Sequence, residues 1–561
     1  MEDINQDNFS EPVEPSKQTV HPDALRPEKV TAYYPLLLAI MLAVGVYLGT
    51  MIGGAPAGSK RETLAKLNNV LNIIEEKYVD DVDRNKLVDD AIISLMKNLD
   101  PHSYYMTAEE ARRSREELSG SFGGVGIQFM VYRDTLIVTH LIPGSPAEEE
   151  GVKVFDRIVK VDKKSFAGRK ITTDDVINTL RGPFGTSVMV TIKRRGESKL
   201  LKKKIIRGNI PVSSVETSIM LNDDIGYIKV TSFGETTYRD FLIASNKLLN
   251  RGMKKLILDL RNNGGGYLTA ANSMADEFLE DGKLIVYTEG KAYPREDTYA
   301  TSRGNLEDIE VAVLINEGTA SASEIVSGAL QDHDKGIIIG RRSFGKGLVQ
   351  QEFTPNNDGS SLRLTIARYY TPSGRSIQKP YGEGIDYENE LMDRYNNKEL
   401  FEPDSSIFVD SLKYKTDKGR IVYGGGGIYP DLFVPLDTTG GSSLLTQLSY
   451  SRIIGEFAVL FAESHEGFEK KFKGYGDYNL SFNPSDELIN EMLVFATEKE
   501  SLVYDPKDVE YSKERIRLLI KAEIARMFWN SEGLYKVECT TDRDVQIAIK
   551  ELNKKSGKHR K

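Results

Sequence analysis

The sequence predicts a multidomain α/β protein with an apolar helix near its amino terminus and a helical extension after its core. Three observations predict this class. The chain has 561 residues, which is too long for one hydrophobic core. Short strands dominate from about residue 121 to 209. From Ile225 onward, continuous apolar strands alternate with helices, as in a sheet that helices bury on both faces.

The composition of the chain excludes several classes of function. Its 83 acidic and 74 basic side chains give a net charge of −9, so we expect no nucleic-acid partner. The single cysteine, Cys539, excludes an intramolecular disulfide and a CxxC metal or redox site. We therefore predict a protein that uses no metal ion and no cofactor.

A charge-free segment extends from Val30 to Ser59, behind a polar tail of residues 1–32. It contains about 20 largely apolar residues, enough to cross a hydrocarbon core of about 30 Å. The alternative is a cleaved signal peptide, but this run is longer than an ordinary signal core and follows about 30 polar residues. We predict an uncleaved, single-pass membrane anchor over residues 33–53. Basic residues flank both ends equally, so charge alone leaves its orientation open.

Two helices are predicted after the anchor, in a region that covers residues 60–118. Apolar residues recur there at helical spacing before a stop at Asp100-Pro101. These residues are Leu64, Leu67, Leu71, Ile74 and Tyr78, followed by Val88, Ile92, Leu95 and Leu99. The two stripes form either intramolecular core or the interface of a homodimer. A GxxxGxxxG spacing in the anchor would also let two copies approach closely, at Gly45, Gly49 and Gly53.

A small β-barrel-like module is predicted over residues 121–209. Its first strand opens with SFGGVGIQF, whose backbone N–H groups could form a nest for a carboxylate beside a strand edge that accepts a peptide. With the turn IPGSPAEEEGVKVFDRIVKVD and a helix that ends in LRG, this module resembles a PDZ domain. The resemblance implies that the substrate-binding residues are Gly124, Val125, Gly126 and Ile127, with Arg181 as a candidate reporter of binding. The alternative is a tight structural turn.

Three hydroxyl side chains lie where an apolar strand gives way to a helix, in NEGTASASEIVSGALQD. They belong to Thr319, Ser321 and Ser323. A serine at the start of a helix is close to unpaired N–H groups, which stabilise a developing anion. Ser321 and Glu324 also match a capping box, in which the two side chains satisfy the helix start. Because position does not separate catalysis from capping, the proton acceptor must decide.

A candidate base, Lys346, lies between two glycines in GIIIGRRSFGKGLVQQEF. Burial lowers the pKa of a lysine toward neutrality, so that its amine can accept a proton from a serine. The 25 positions from Ser321 to Lys346 fit a helix, a strand and a return loop. Gln350 follows on the next strand and could orient the amine without adding charge. The alternative, a phosphate-binding loop from Gly340 to Lys346, fails because Gly347 offers no hydroxyl for Mg²⁺.

Together, TASASEI, GRRSFGKGLVQ and LDLRNNGGG resemble the carboxyl-terminal processing peptidases, which are tail-specific serine proteases with a Ser-Lys dyad. The resemblance covers about Leu64 to Leu436. It implies a crotonase-like α/β peptidase core over residues 210–437, whose catalytic residues are Ser321 as nucleophile, Lys346 as base and Gln350 as the assisting residue. From the residues alone, the two neighbouring hydroxyls stay open as competing nucleophiles.

The third motif, from Asp259 to Gly266, follows a buried strand and supplies bare N–H groups at its glycines. Such donors stabilise a tetrahedral oxyanion by about 3 kcal/mol each. We predict Gly265 and Ala322 as the backbone donor pair, and we assign Asp259 and Arg261 to a local ion pair. The alternative, a tight turn between strand and helix, has less need of three glycines.

Two segments exceed the resemblance. One is a polar insertion at about 380–419, predicted to be a surface excursion, and the other is the helical extension at 438–561. Neither has a role that its residues indicate.

The predicted function is that of a membrane-anchored serine endopeptidase that recognises protein carboxyl termini through its PDZ domain. The expected partners are protein or peptide substrates with free carboxyl termini, and the membrane. The family implies the cytoplasmic membrane, with the catalytic part on the extracytoplasmic, periplasmic side. The alternative is a membrane-tethered PDZ scaffold or chaperone with an inactive peptidase fold. That alternative predicts loss of the serine, lysine or glutamine, and all three are present.

Overall fold

The computed structural model describes residues 33–52, 57–133, 135–168, 171–355, 357–387, 389–403 and 408–556, without the side chains of 48–52, 57–64 and 555–556. The predicted polar tail over 1–32 and the end of the predicted anchor, Gly53, lie outside the described residues. The chain divides into two compact units, one up to Asp90 and one from Ala91 onward.

The first unit consists of helices. They are α1 (Tyr34–Ile52), α2 (Ala57–Lys77) and the first half of α3 (Arg84–Met96). Arg84 ties α3 to α2, because its guanidinium donates to Glu75 at 2.6 Å and to Asn72 at 3.0 Å. Within the described ranges, no helix combines the length and the apolarity that crossing a membrane needs. The anchor over 33–53 stays a prediction.

The second unit opens with a turn that later supports the site. The carboxylate of Asp100 accepts from the backbone N–H groups of His102 at 2.9 Å and Ser103 at 3.0 Å. The chain then forms β1 (Tyr104–Met106) and α4 (Ala108–Leu118). A complete capping box between Thr107 and Glu110 starts α4.

The strand-rich module forms where the alternating apolar pattern predicts it. Its elements are β2 (Ser121–Gly124), β3 (Ile127–Tyr132), β4 (Thr135–Leu141), α5 (Pro146–Glu149), β5 (Arg157–Val161), β6 (Lys164–Ser165), α6 (Thr173–Leu180), β7 (Ser187–Lys193), β8 (Leu201–Ile206) and β9 (Gly208–Pro211). The sheet order is β3-β4-β5-β7-β8, with β6 on β5, while β2 pairs with β9. In the described sheet, β3 is therefore an edge strand beside α6, and an edge strand can accept an extended peptide.

The α/β core follows as alternating strands and helices. Its elements are β10 (Val215–Met220), β11 (Ile225–Val230), α7 (Thr237–Leu249), β12 (Lys255–Asp259), α8 (Leu268–Asp276), β13 (Leu284–Glu289), β14 (Glu296–Tyr299), β15 (Glu310–Ile315), α9 (Ala322–Asp332), β16 (Gly336–Gly340), β17 (Leu348–Phe353), β18 (Ser361–Tyr370), α10 (Glu390–Asn396), a 3₁₀ turn (Asp410–Leu412), β19 (Lys413–Lys415), β20 (Ile421–Tyr423) and β21 (Leu432–Phe433).

Two sheets organise this core. The main sheet has the order β10-β11-β12-β15-β16-β21, and it is parallel from β11 onward. The second sheet is antiparallel, with the order β1-β18-β13-β14 and with β17 on β18. The loops after β12 and β15 leave the main sheet at the same edge, because parallel strands end together. These loops carry the glycine motif and the hydroxyl cluster.

The helical extension is confirmed. It contains α11 (Ser443–Tyr450), α12 (Ile453–Ser464), a 3₁₀ turn (Phe468–Lys471), α13 (Tyr475–Ser481), α14 (Asp486–Glu500), α15 (Pro506–Glu538) and α16 (Arg543–Ser556). Most of it encloses its own apolar core. Helix α16 instead covers one face of the main sheet, where Val545, Ala548 and Leu552 join the apolar cluster of Ile257 and Ala312.

The polar insertion at 380–419 is not only the surface excursion that its composition suggests. Arg394, in α10, is 3% exposed, and its guanidinium donates to the backbone oxygens of Ser343 at 3.2 Å and Arg342 at 2.6 Å. Glu399 accepts from Arg342 at 2.6 Å. The segment is polar because it supports the loop before Lys346 through buried ion pairs.

Candidate active site

Of the three hydroxyl residues, only Ser321 has a positive φ angle. It immediately precedes α9, with φ 57° and ψ −117°. A positive φ is strained for a residue with a side chain, and such strain often marks a functional position. Gly265 lies directly opposite, so closely that an added Cβ would be 2.7 Å from the Cβ of Ser321. Glycine is therefore required at this position of the motif, because any side chain there would collide with Ser321.

The hydroxyl groups of the two competing residues donate hydrogen bonds to backbone oxygens instead. Thr319 is 0% exposed, and its Oγ1 donates to the backbone oxygen of Leu260 at 2.9 Å. Ser323 is also 0% exposed, and its Oγ donates to the backbone oxygen of Asn263 at 2.9 Å. Both side chains fix the hydroxyl loop to the glycine loop. Only the partly exposed Ser321 is left open to a substrate.

A buried carboxylate joins the serine to the lysine loop. Glu324 is 0% exposed and accepts from the backbone N–H groups of Ser321 at 2.7 Å and Lys346 at 2.9 Å. It also accepts from Gly345 N–H at 2.8 Å and from the hydroxyl of Ser343 at 2.5 Å. Burial raises the pKa of Glu324, while these donors oppose that rise. The glutamate of the predicted capping box thus positions both halves of the site.

Tyr369, on β18, makes a second link between the same two segments. Its hydroxyl lies 2.6 Å from the backbone oxygen of Lys346 and 3.0 Å from that of Ser321. Its single proton is shared between the two acceptors. Burial raises the pKa of Tyr369 well above its ordinary value, so the hydroxyl stays a donor.

The amine of Lys346 has a neutral partner. Its Nζ donates to Oε1 of Gln350 at 2.9 Å, and in the part of the chain that the structure describes it forms no ion pair. Burial lowers the pKa of Lys346 to about 8, and the charge of Arg363 adds to the effect. No hydrogen bond joins Nζ to Oγ of Ser321 among these described side chains. Catalytic hydrogen bonds are often long without substrate and tighten in the complex.

Gln350 is itself held by the Asp-Pro-His-Ser turn. Its Nε2 donates to the backbone oxygen of His102. The imidazole of His102 faces Tyr387, whose hydroxyl lies 2.7 Å from Nε2. Burial, together with the nearby charge of Lys346, lowers the pKa of His102 to about 4. His102 is therefore a neutral neighbour of the lysine at ordinary pH.

The predicted oxyanion donors lie together but differ in availability. An added Cβ at Gly265 would be 2.9 Å from the nitrogen of Ala322. The N–H of Ala322 has no acceptor among the described residues, as expected at a helix start. The N–H of Gly265 donates to Oδ1 of Asn263 at 2.9 Å, so this donor is occupied. The Asn263 side chain must turn away before Gly265 can serve an oxyanion.

Asp259 and Arg261 form the predicted ion pair. Arg261 donates to Asp259 at 2.6 Å and reaches Asp542, just before α16, and Asp544, in its first turn, each at 2.8 Å. Burial would raise the pKa of Asp259, but Arg261 and Lys229 hold it well below its usual range. The glycine loop is thus anchored to the extension, a contact that local sequence gives no sign of.

The glycine-rich loop of the strand-rich module has donors of the kind that a carboxylate needs. The N–H groups of Val125 and Gly126 have no acceptor among the described residues. Gly124 and Ile127 flank them, at the ends of β2 and β3. Arg181 lies over the ring of Phe122, with its Cζ 4.0 Å from the ring centroid. Within the described ranges, no three His, Cys, Asp or Glu side chains group as metal ligands would.

Sequence reasoning missed three residues of this site: His102, Tyr369 and Asn263. The Asp-Pro-His-Ser motif was a usable signal for the first. Asn263 lies inside the predicted glycine motif, but nothing in that motif indicated the role of its side chain. Tyr369 had no signal, since β18 reaches the site only through the tertiary fold.

Four family models match the chain. They are Peptidase family S41 over residues 224–390, PDZ domain over 137–194, Activating protease CtpB N-terminal domain over 52–110, and a family of unknown function over 444–530. A carboxy-terminal-processing protease of Bartonella bacilliformis is 39% identical over 366 residues, which cover 64% of this chain and 82% of that protein.

Solved structures also match. The photosystem II D1 C-terminal processing protease is 28% identical, and the match covers 55% of this chain and 89% of that chain, with a TM-score of 0.32. The PDZ domain of a Vibrio cholerae carboxy-terminal protease, in complex with a peptide, is 26% identical. That match covers 16% of this chain and 99% of the other, with a TM-score of 0.15.

A PDZ module joined to an α/β core that holds a strained serine at a helix start defines a PDZ-containing serine peptidase. The glycine, hydroxyl and lysine motifs lie together in that core. The chain belongs to peptidase family S41, among the carboxy-terminal-processing proteases.

Proposed function

We propose that this protein cleaves peptide bonds with Ser321 as nucleophile, Lys346 as general base and Gln350 as the residue that orients the base. One observation carries the proposal. Lys346 is largely buried, its pKa is lowered to about 8, and its amine faces a neutral amide rather than a carboxylate. A lysine in that setting is readily deprotonated near neutral pH, which a proton acceptor requires.

The proposed steps use these groups in turn. The Oγ of Ser321 forms a bond to the substrate carbonyl carbon while its proton passes to the neutral Nζ of Lys346. The carbon–nitrogen bond then breaks, and Nζ delivers that proton to the leaving amine. Water attacks the acyl ester, again with Lys346 taking the proton, and Oγ recovers a proton as the new carboxyl terminus leaves.

The oxyanion of each tetrahedral intermediate lies near the start of α9. Ala322 offers a free N–H there, and the helix dipole favours negative charge at that end. Gly265 becomes the second donor once Asn263 releases its N–H. The occupied donor and the missing Ser321–Lys346 hydrogen bond favour a resting arrangement that substrate must rearrange.

The PDZ module, in this proposal, binds the free carboxyl terminus of the substrate. The unpaired N–H groups of Val125 and Gly126 support this, with the open edge of β3 beside them. The charge of Arg181, at the end of α6, lies close to the same loop. The substrates are proteins or peptides with accessible termini.

The test uses residues 60–561 and an unfolded protein substrate. Ser321→Ala and Lys346→Ala should each abolish cleavage. Thr319→Ala and Ser323→Ala should still cleave the substrate, because both variants keep Ser321 as the nucleophile. Cleavage that survives both Ser321→Ala and Lys346→Ala would remove the mechanism. A serine-reactive probe should label the wild type and not Ser321→Ala.

We also propose that residues 33–53 anchor the chain in the cytoplasmic membrane, with the catalytic part on the extracytoplasmic side. The charge-free run supports this, as do the exposed side chains of Leu38 and Leu42, at 61% and 70%. Separation of membranes by alkaline wash and protease treatment of intact cells would test both parts. Release by the wash would contradict the anchor.

A homodimer through the N-terminal helices is the remaining proposal. Leu67, Val70 and Ile73, on α2, are exposed apolar residues within the described first unit. A chain of residues 60–561 should then have the mass of two copies in solution, and Leu67→Lys should reduce it to one. A wild-type monomer at micromolar concentration would contradict the dimer.

A further inference from the structure

The extension and the PDZ module together line a cavity of about 950 Å³. One wall is the peptide groove of the module, formed by the glycine-rich loop, β3 and α6. The opposite wall comes from α11, α12 and α15 of the extension, in the segment that matches a family of unknown function. The PDZ groove of this chain therefore faces the extension across this cavity.

Specific contacts hold the extension over the groove. Arg157, on β5, pairs with Glu463, on α12, through two contacts of 3.0 and 2.9 Å. Met130 of β3 packs in one apolar cluster with Val459 of α12 and Met527 of α15. His140 Nε2 lies 3.3 Å from the backbone oxygen of Arg526. Both walls thus belong to one assembled site.

The chemistry of the cavity fits a particular ligand. One end has the unpaired N–H groups of Val125 and Gly126, which suit a carboxylate. The extension adds apolar lining at Ile454 and Leu519. Each wall also offers an arginine, Arg181 from the module and Arg452 from the extension, and neither has a carboxylate partner among the described residues. A free, apolar carboxyl terminus matches these features better than an amidated one.

We propose that the extension is the second wall of the peptide site, so that a substrate's apolar carboxyl-terminal segment binds between α12 and the PDZ groove. This inference rests on the proposed function of the PDZ module. It assigns a specificity role to the extension: the opposing wall selects termini that are extended, apolar and narrow enough to enter.

Gly455, on α12, is a position from which the wall can be tested, because its Cβ direction is open. It lines the cavity, and an added Cβ would meet only Glu523, at 3.6 Å, which is ordinary contact. Gly455→Trp should therefore fill the groove from the extension side. Gly476, on α13, is the matched control, because an added Cβ there has nothing within 4 Å and Gly476 is outside the cavity lining.

The measurement is fluorescence anisotropy of a short labelled peptide ending in Ala-Val-Leu, with a free or an amidated terminus. The inactive Ser321→Ala chain serves as background, so binding is scored apart from cleavage. We expect Gly455→Trp to weaken binding of the free-terminus peptide about tenfold or more, and Gly476→Trp to leave it unchanged. Arg452→Asn should also weaken it, since asparagine tolerates the φ of 53° while removing the charge.

The outcomes distinguish a failure of this inference from a failure of the proposed function of the PDZ module. A background chain that binds both termini alike would overturn terminus recognition by the PDZ module, and this inference with it. If the background discriminates and Gly455→Trp still binds as tightly, the groove is one-sided and only the wall is refuted. Equal weakening by Gly455→Trp and Gly476→Trp would likewise refute the wall.

Discussion

Lowering the pH from about 8 to about 6 should slow the free enzyme about fiftyfold in kcat/KM. The reason is the pKa of Lys346, which burial lowers from 10.5 to about 8. In the proposed mechanism the neutral amine is the active form, so we expect activity to rise with pH through this value and then to level off. About 10% of the lysine is neutral at pH 7, compared with about 0.03% if its pKa were unperturbed.

The structure also gives a variant that moves the pH profile. The charge of Arg363 contributes to the lowered pKa of Lys346. Arg363→Gln should therefore shift the acid limb to higher pH, whereas Arg239→Gln, which removes an exposed guanidinium paired with Asp240, should leave the limb in place. A merely structural role for Arg363 would change the rate without moving the midpoint.

The assay is initial-rate cleavage of a quenched fluorescent peptide at subsaturating concentration, from about pH 6 to 9.5, with folding checked at each pH. Burial lowers the pKa of His102 to about 4, so this histidine cannot supply a limb in that range. A flat profile with intact folding would refute the reasoning, as would a midpoint that Arg363→Gln leaves unchanged.

Three further predictions concern the support of the site. Gln350→Ala should lower kcat by about tenfold or more with little change in KM, because the amine of Lys346 loses its orienting acceptor; wild-type turnover would reduce Gln350 to a structural residue. Gly265→Ala should abolish labelling by a serine-reactive probe, since a Cβ at φ +96° would meet Ser321; full labelling would contradict the close approach. Arg261→Ala should lower the free energy of unfolding by about 3–5 kcal/mol, measured by denaturant titration against Arg239→Ala, because Asp259 loses its main buried partner. An equal loss in both variants would argue against that buried network.

The candidate catalytic residues could be proposed from sequence because each lies in a short motif at a strand end. Ser321, Lys346 and Gln350 are ordered by one helix and two strands, so their proximity follows from alternating β and α patterns. Tyr369 could not be found this way, because β18 reaches Ser321 and Lys346 through a second sheet whose order no local spacing determines. The bond between Asn263 and Gly265 depends on one side-chain rotamer, which is also beyond sequence reasoning.

The insertion shows a different limit. Arg394 and Glu399 belong to its polar composition, yet they pair with each other out of solvent, and Glu399 also pairs with Arg342 of the loop before Lys346. Composition records the number of charges and not their partners, so a buried polar network resembles an exposed segment. The contact between α12 and the PDZ module could not be predicted for a related reason. Its two surfaces come from distant segments of the chain, and the residues of each surface have the pattern of an ordinary core or surface segment.

Helix α16 determines the point during synthesis at which the main sheet of the peptidase core can be fully covered. The strands of the main sheet are complete by Phe433, but the face that Val545 and Leu552 cover stays bare until synthesis passes Ser556. A ribosome-bound chain that already carries Ser321 and Lys346 still lacks Asp542 and Asp544, so Arg261 has no distant partner to hold the glycine loop. We therefore expect the glycine loop to gain its full set of ion pairs only after α16 has been synthesised.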